Sequence, residues 1–259
     1  MGKEIFQRTE MLLGEELMTR LSSVRIIIFG VGGVGGWCAE ALVRAGVTRL
    51  TIVDPDSVCP SNLNRQLAAT SKTIGMPKVE VLKERLLEIN PDASIEALQE
   101  AYSEENASRF ELDSYDYIID AIDTLRHKVS LILRACDAGA TLFSSMGAAL
   151  KIDPCRVRVA EFMEVKGCPL AAAIRKKMKR DGTLPSRKFL CVYDDEVLPN
   201  LGKTVEETDI SSIQAAKAVV NGTTAPVTGI FGFTLSGLVI KDLYEKQRRL
   251  APSYGTSLS

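Results

Sequence analysis

The chain has 259 residues, 46% apolar and 25% charged, with a formal net charge of −1. That length can bury one large α/β domain or two smaller ones, and the near-neutral balance excludes a global polycation that would coat nucleic acid without specificity. Six cysteines (Cys38, Cys59, Cys136, Cys155, Cys168 and Cys191) include no C-x-x-C pair, which argues against a tetrathiolate zinc site and a disulfide framework and for a reducing, cytoplasmic setting.

The elements follow in chain order. Residues 1–23 lack the apolar core of a secretion signal and read as an N-terminal helical arm. "SVRIIIFG" is a buried strand, and "VGGWCAEALVRAG" has helical spacing up to Gly46, a C-cap residue. "TRLTIVD" is a second strand. "PKVEVLKERLLEIN" opens on a proline and carries an apolar stripe of Val79, Leu82, Leu86 and Ile89. "SIEAL" reads as a short strand, "SEENASRFEL" as a short helix, "YDYIIDAID" as a strand, "TLRHKVSLILRACDAG" as a helix and "ATLFSSMGAAL" as a strand. This succession predicts an α/β, Rossmann-like fold, with a mostly parallel sheet and helices on both faces.

After Asp153-Pro154 the pattern changes. "RVRVAEF" and "KFLCVY" read as added strands, "PLAAAIRKKMKR" as a short basic helix, and "APVTGIFGFTLSGLVIKDLYEKQRRL" as a long packed helix starting at Pro226. The longest uncharged run, Ala218 to Ile240, is interrupted by Pro226 and several Gly and Thr, so a membrane span is not expected. The chain reads as a single domain: the arm, a nucleotide-binding core over 24–153, and a substrate region with the C-terminal helix over 154–259.

Gly30-Val31-Gly32-Gly33-Val34-Gly35 satisfies G-x-G-x-x-G directly between a strand and a helix. Glycine permits the tight turn and close backbone approach to phosphate, which then sits at the helix N-terminus. Asp54 ends the next strand, where a carboxylate accepts from ribose hydroxyls. These features call for a nucleotide but do not separate NAD from ATP. The following stretch, "DPDSVCPSNLNRQ", adds Asn62, Arg65 and Gln66, and "TIGMPKVE" adds Lys78 at the first turn of a helix. A dinucleotide pyrophosphate is neutralised by backbone N–H groups; an Arg and a Lys as well suit a triphosphate attacked at phosphorus. Asp120 and Asp123 end a buried strand near the expected phosphates, a natural place for a magnesium ligand, although Asp123 could instead cap the next helix. The only histidine, His127, is expected on the surface or in packing.

With these residues assembled, the chain resembles the ThiF/MoeB/ubiquitin-activating-enzyme superfamily of adenylating proteins. The matching segments are "GVGGVGG", "VDPDSVCPSNLNRQ", "GMPKVEVLKERLLEINP" and "DAID". The resemblance implies that Gly30, Gly32, Gly33 and Gly35 line the nucleotide, and that Asp54 binds ribose. Asn62, Arg65 and Lys78 would hold phosphates, with Gln66 beside them, and Asp123 would bind Mg2+. "FQR" is similar to the segment whose arginine reaches the neighbouring subunit's ATP, making Arg8 a candidate trans residue and the active form a homodimer.

Within the superfamily, "DAIDTLRHKVSLI", "KIDP" and "LCVYDDE" are most similar to the branch that dehydrates threonylcarbamoyladenosine in tRNA. Such a protein adenylates the carboxylate of that group with ATP and closes a ring, releasing AMP and pyrophosphate. The alternative is an adenylyltransferase for a ubiquitin-like sulfur carrier, with sulfur-transfer proteins as further partners; its zinc-bearing members carry two C-x-x-C pairs, absent here. Cys191 stands where a sulfur-relay cysteine would be sought, but no neighbour lowers its pKa and a buried structural role is expected. The run Arg175, Lys176, Lys177, Lys179 and Arg180, with Arg187 and Lys188 nearby, is the candidate contact for RNA phosphates.

Overall fold

The computed structural model describes residues 2–201 and 221–250. Three short helices, α1 (Gly2–Ile5), α2 (Gln7–Leu13) and α3 (Glu15–Ser23), precede β1 (Arg25–Phe29), α4 (Gly35–Ala45), β2 (Arg49–Val53), α5 (Lys78–Ile89) and β3 (Ser94–Leu98). Then come β4 (Tyr117–Asp120), α6 (Leu125–Asp137), β5 (Thr141–Ser145), β6 (Arg158–Glu161), α7 (Pro169–Arg180), β7 (Leu190–Tyr193) and α8 (Ala225–Leu250). The sheet order is β3-β2-β1-β4-β5-β7-β6, parallel throughout except for the antiparallel β6–β7 pair. The alternation of the sequence thus becomes a doubly wound sheet, and the added strands extend its far edge.

Continuous apolar runs suit strands covered on both faces. Side chains of β1 alternate between two cores: Ile26 and Ile28 face one with α3, α4, α5 and α8, while Ile27 and Phe29 face the other with α6 and α7. Leu17 and Leu21 anchor α3 in the first core, so this part of the N-terminal arm is packed. The apolar stripe Val227, Phe231, Leu235, Val239 and Leu243 of α8 is buried there too. α8 is long and apolar enough to cross a membrane by length and composition, yet half of its most apolar window is inside the protein. At Gly232 a Cβ would lie 2.5 Å from the Val34 carbonyl, so the helix rests directly on the start of α4.

The expected helix over 103–112 is instead two 3-10 turns, Ala107–Phe110 and Leu112–Ser114, joined at Glu111 with φ 43. Phe110 and Leu112 both enter the second core, and a continuous α-helix could not bury residues two apart equally well. The strand read over 140–150 ends at Ser145, because the backbone turns there into the cavity described below. Part of the region after Asp181, residues 202–220, and the tail 251–259 lie outside the described residues.

Candidate active site

Strand register explains how distant residues meet. Phe29 pairs with Val53 and Asp120, and Asp120 pairs with Ser144. The next residue of each strand or its loop, Gly30, Asp54, Ala121 and Ser145, therefore lies on one rim at the carboxyl ends of the strands, around the point where chain order reverses. All four line a cavity of about 590 Å3.

Gly30, Gly32 and Gly33 lie on its wall, whereas Gly35 is not among the lining residues. A Cβ on Gly35 would meet the Gly30 carbonyl at 1.8 Å, so its task is to let the loop close over the helix start rather than to touch a ligand. Asp54 accepts from the Val31 N–H through Oδ2 at 2.8 Å and from the Asp56 N–H through Oδ1 at 3.0 Å. Burial pushes the Asp54 carboxyl above the ordinary aspartate value, and the charge of Lys78 opposes that. It is tied to the loop, with lone pairs left for a ribose.

Asn62 lines the cavity and caps its own turn, its Oδ1 accepting from the Cys59 N–H at 3.0 Å. Arg65 also lines it; Nη1 donates to the Ser61 carbonyl at 2.9 Å and to Asn64 Oδ1 at 3.0 Å. The Trp37 indole donates to the Arg65 carbonyl and fixes the backbone. Lys78, 5% exposed, pairs with Asp56 at 2.7 Å and approaches Asp54 at 3.9 Å. Gln66 is buried on the same wall and its Oε1 has no protein partner, an orphaned polar atom that suits a hydrogen-bonding ligand.

The two acids of "DAID" part company. Asp120 is fully buried, paired with Lys128 at 2.7 Å, and accepts from the Ser144 hydroxyl at 2.6 Å and the Ile122 N–H at 3.2 Å. Its oxygens are committed to the protein, which corrects the expectation that it could ligate magnesium. Asp123 is exposed on the cavity wall, where Thr124 Oγ1 donates to it at 3.4 Å. Among the described residues no group of three or more His, Cys, Asp or Glu gathers to hold a metal. One carboxylate beside a phosphate cradle fits magnesium, which usually takes one or two carboxylates and completes its shell with substrate phosphates and water.

Several lining residues carry no sequence signal. His127 was expected on the surface or in packing, yet one turn into α6 it faces the cavity, as do Tyr102, Asp56 and Thr228. The cavity wall also includes Met146, Ala148, Ala149, Leu170, Asn221 and Thr223. Thr223 donates through Oγ1 to the Ala148 carbonyl, and Asn64 donates to the Thr223 carbonyl, which fixes this wall against the "NLNRQ" turn.

The outlying candidates are elsewhere. Arg8 is exposed on α2 and does not line this cavity. Of the basic run on α7, Arg175 donates to the Phe162 carbonyl and stacks over that ring, while Lys177 and Arg180 pair with Asp181. Lys176 and Lys179 are exposed, with no ion pair among the described residues. Arg187 is spent on the carbonyls of Ala135 and Ala140, and Lys188 is exposed. Cys191 is fully buried in β7, and burial pushes its thiol well up, so it is a packing residue.

A doubly wound sheet with a glycine loop, a strand-end aspartate and an Arg–Lys pair converging at its switch point defines a nucleotide-binding protein equipped for phosphate chemistry. The chain belongs to the ThiF family, whose sequence profile matches residues 6–256. It is 36% identical over 241 residues to the tRNA threonylcarbamoyladenosine dehydratase of Bacillus subtilis, covering 92% of this chain and 94% of that one. The crystal structure of the Escherichia coli tRNA N6-threonylcarbamoyladenosine dehydratase, TcdA, in complex with ATP superposes with a TM-score of 0.84 at 30% identity, covering 96% of this chain and 97% of the other. A sulfur carrier protein adenylyltransferase of Thermus thermophilus is 38% identical but over only 43% of this chain and 41% of that one. The likeness to the dehydratases thus covers nearly the whole chain, where that to the sulfur-carrier enzyme covers less than half of it.

Proposed function

We propose that this protein adenylates the carboxylate of threonylcarbamoyladenosine in tRNA with ATP and closes the activated group into a ring with net loss of water. One observation carries the reading: the phosphate cradle and the wall formed by Met146, Ala148, Ala149, Leu170, Asn221 and Thr223 belong to one cavity. A nucleotide and an acyl group can therefore meet in it. A carboxylate oxygen attacks the α-phosphorus, the bond to the β-phosphate oxygen breaks, and pyrophosphate leaves. A nucleophile of the same threonylcarbamoyl group then attacks the acyl carbon, releasing AMP and a proton. Intramolecular capture needs positioning more than a dedicated base.

Asp54 orients the ribose, and the glycine loop with the N-terminus of α4 holds phosphate. Arg65 and Lys78 bear on the phosphates, and Gln66 and Asn62 complete that wall. Asp123 would hold Mg2+, which when bound supplies neutralisation of phosphate charge. Arg8 is assigned to the neighbouring subunit's cavity in a homodimer, and the exposed Lys176 and Lys179 to RNA phosphates. Cytoplasmic residence accompanies a tRNA substrate.

The full chain, incubated with ATP and tRNA carrying the modification, is expected to release pyrophosphate and to lower the nucleoside mass by one water. No mass loss, together with adenylation of a Gly-Gly carrier, would transfer the site to the sulfur-carrier reading. The same assay tests the outlying residues. R8A protein should turn over poorly alone and regain activity when mixed with the slow K78M protein. K176E/K179E should raise KM for tRNA about tenfold and flatten its salt dependence, leaving ATP binding unchanged.

A further inference from the structure

Asp56 has no part in the reaction as described, yet its contacts single it out. Its Oδ2 accepts from Lys78 Nζ at 2.7 Å, and its carbonyl accepts from the Lys78 N–H at 3.0 Å. Its own N–H donates to Asp54 Oδ1, the oxygen that lies 3.9 Å from the same ammonium. Asp54 in turn holds the Val31 N–H of the glycine loop. One ammonium is thus gripped by two acids, in a chain of contacts that runs from the phosphate cradle to the first turn of α5. The Lys78 side chain is 6% exposed, while that of Asp56 is 63% exposed on the cavity wall.

Two consequences follow from this arrangement. Two carboxylates around one ammonium leave the trio with a net negative charge, so it attracts a resting polyanion weakly. The ammonium itself is fixed, and a fixed charge needs no reorganisation when negative charge moves toward a leaving group. Its long stem has lost its rotamer freedom on folding rather than at each turnover. We propose that Asp56 is a positioning residue that anchors the Lys78 ammonium so that its charge acts on the departing phosphates during adenylation rather than on ATP at rest.

The inference rests on the assignment of Lys78 to the phosphates. The near-isosteric D56N removes one negative charge and replaces the anchoring carboxylate by a weaker, neutral acceptor. In the full chain it is expected to bind α,β-methylene-ATP about threefold to tenfold more tightly by titration calorimetry, while kcat for pyrophosphate release falls about tenfold or more. D56E, which keeps the carboxylate, should recover most of the turnover. In a K78M background, D56N should slow the enzyme no further, because Asp56 acts through Lys78. Weaker analogue binding with unchanged kcat in D56N, or a further loss in the double variant, overturns the proposal. If K78M alone binds and turns over as the wild type does, the phosphate assignment of Lys78 fails and takes the proposal with it. If K78M is slow and D56N is not, only the role of Asp56 fails.

Discussion

Lys78 and Lys128 are both buried lysines at helix beginnings, each paired with an aspartate at 2.7 Å near the carboxyl ends of the strands. Around Lys128 everything is inside: neither side chain of the pair is exposed, the ammonium also donates to the Ile122 carbonyl at 2.9 Å, and Ser144 donates to Asp120. Lys78 is paired with an acid that stands on the cavity wall, in a loop tied through Asp54 to the glycine loop. The lysines differ little in their own exposure. Their partners differ, and that separates a charge spent on the fold from one available to a ligand.

Replacing each lysine by methionine should break the symmetry. K128M leaves Asp120 buried with hydroxyl and amide donors only, and removing one partner of a buried pair costs about 3–5 kcal/mol. Thermal and denaturant unfolding should show that loss, and the Ala121–Thr124 loop should lose protection in hydrogen exchange, since Lys128 holds its Ile122 carbonyl. K78M should change stability by about 1 kcal/mol or less, because Asp56 can turn to water, while turnover falls about 10²–10³-fold. Equal stability losses in the two variants would show that both pairs are structural.

The same distinction marks what the sequence discloses. The β/α alternation, the glycine loop, Asp54 and the "NLNRQ" turn are local patterns, and the structure has the corresponding strands and helices. Lys128 and Asp120 sit as close in sequence to the cavity as Asp123 does, and no residue-type rule says which faces inward; that depends on which side of β4 and α6 each side chain leaves. The rest of the wall is less legible still. Ala148, Leu170 and Thr223 are ordinary residues gathered because β5, α7 and α8 all begin or end at one rim. Gly232 carries no signal of its own in the sequence, yet it is the contact that seats α8 on α4. In the basic run on α7, charge was readable but not its internal use by Phe162 and Asp181.

Glu40 is the intermediate case and the smallest expected effect. It is 6% exposed on α4, and it meets Arg44 at 2.9 Å and Arg85 of α5 at 2.5 Å, whose side chains are 56% and 43% exposed. Burial pushes its carboxyl up, but hydrogen bonds from Arg85 and Arg44 outweigh that and hold it below the ordinary glutamate value. A depressed acid stabilises the folded state above its unfolded pKa of about 4.3, and that contribution is lost as pH falls through the folded value. E40Q should therefore lose about 1–2 kcal/mol at pH 7, less than K128M because both arginines reach in from solvent. The gap from the wild type should close in denaturant unfolding as pH drops below that range. A pH-independent E40Q deficit would mean that packing of α4 against α5, and not charge, is what the glutamate supplies.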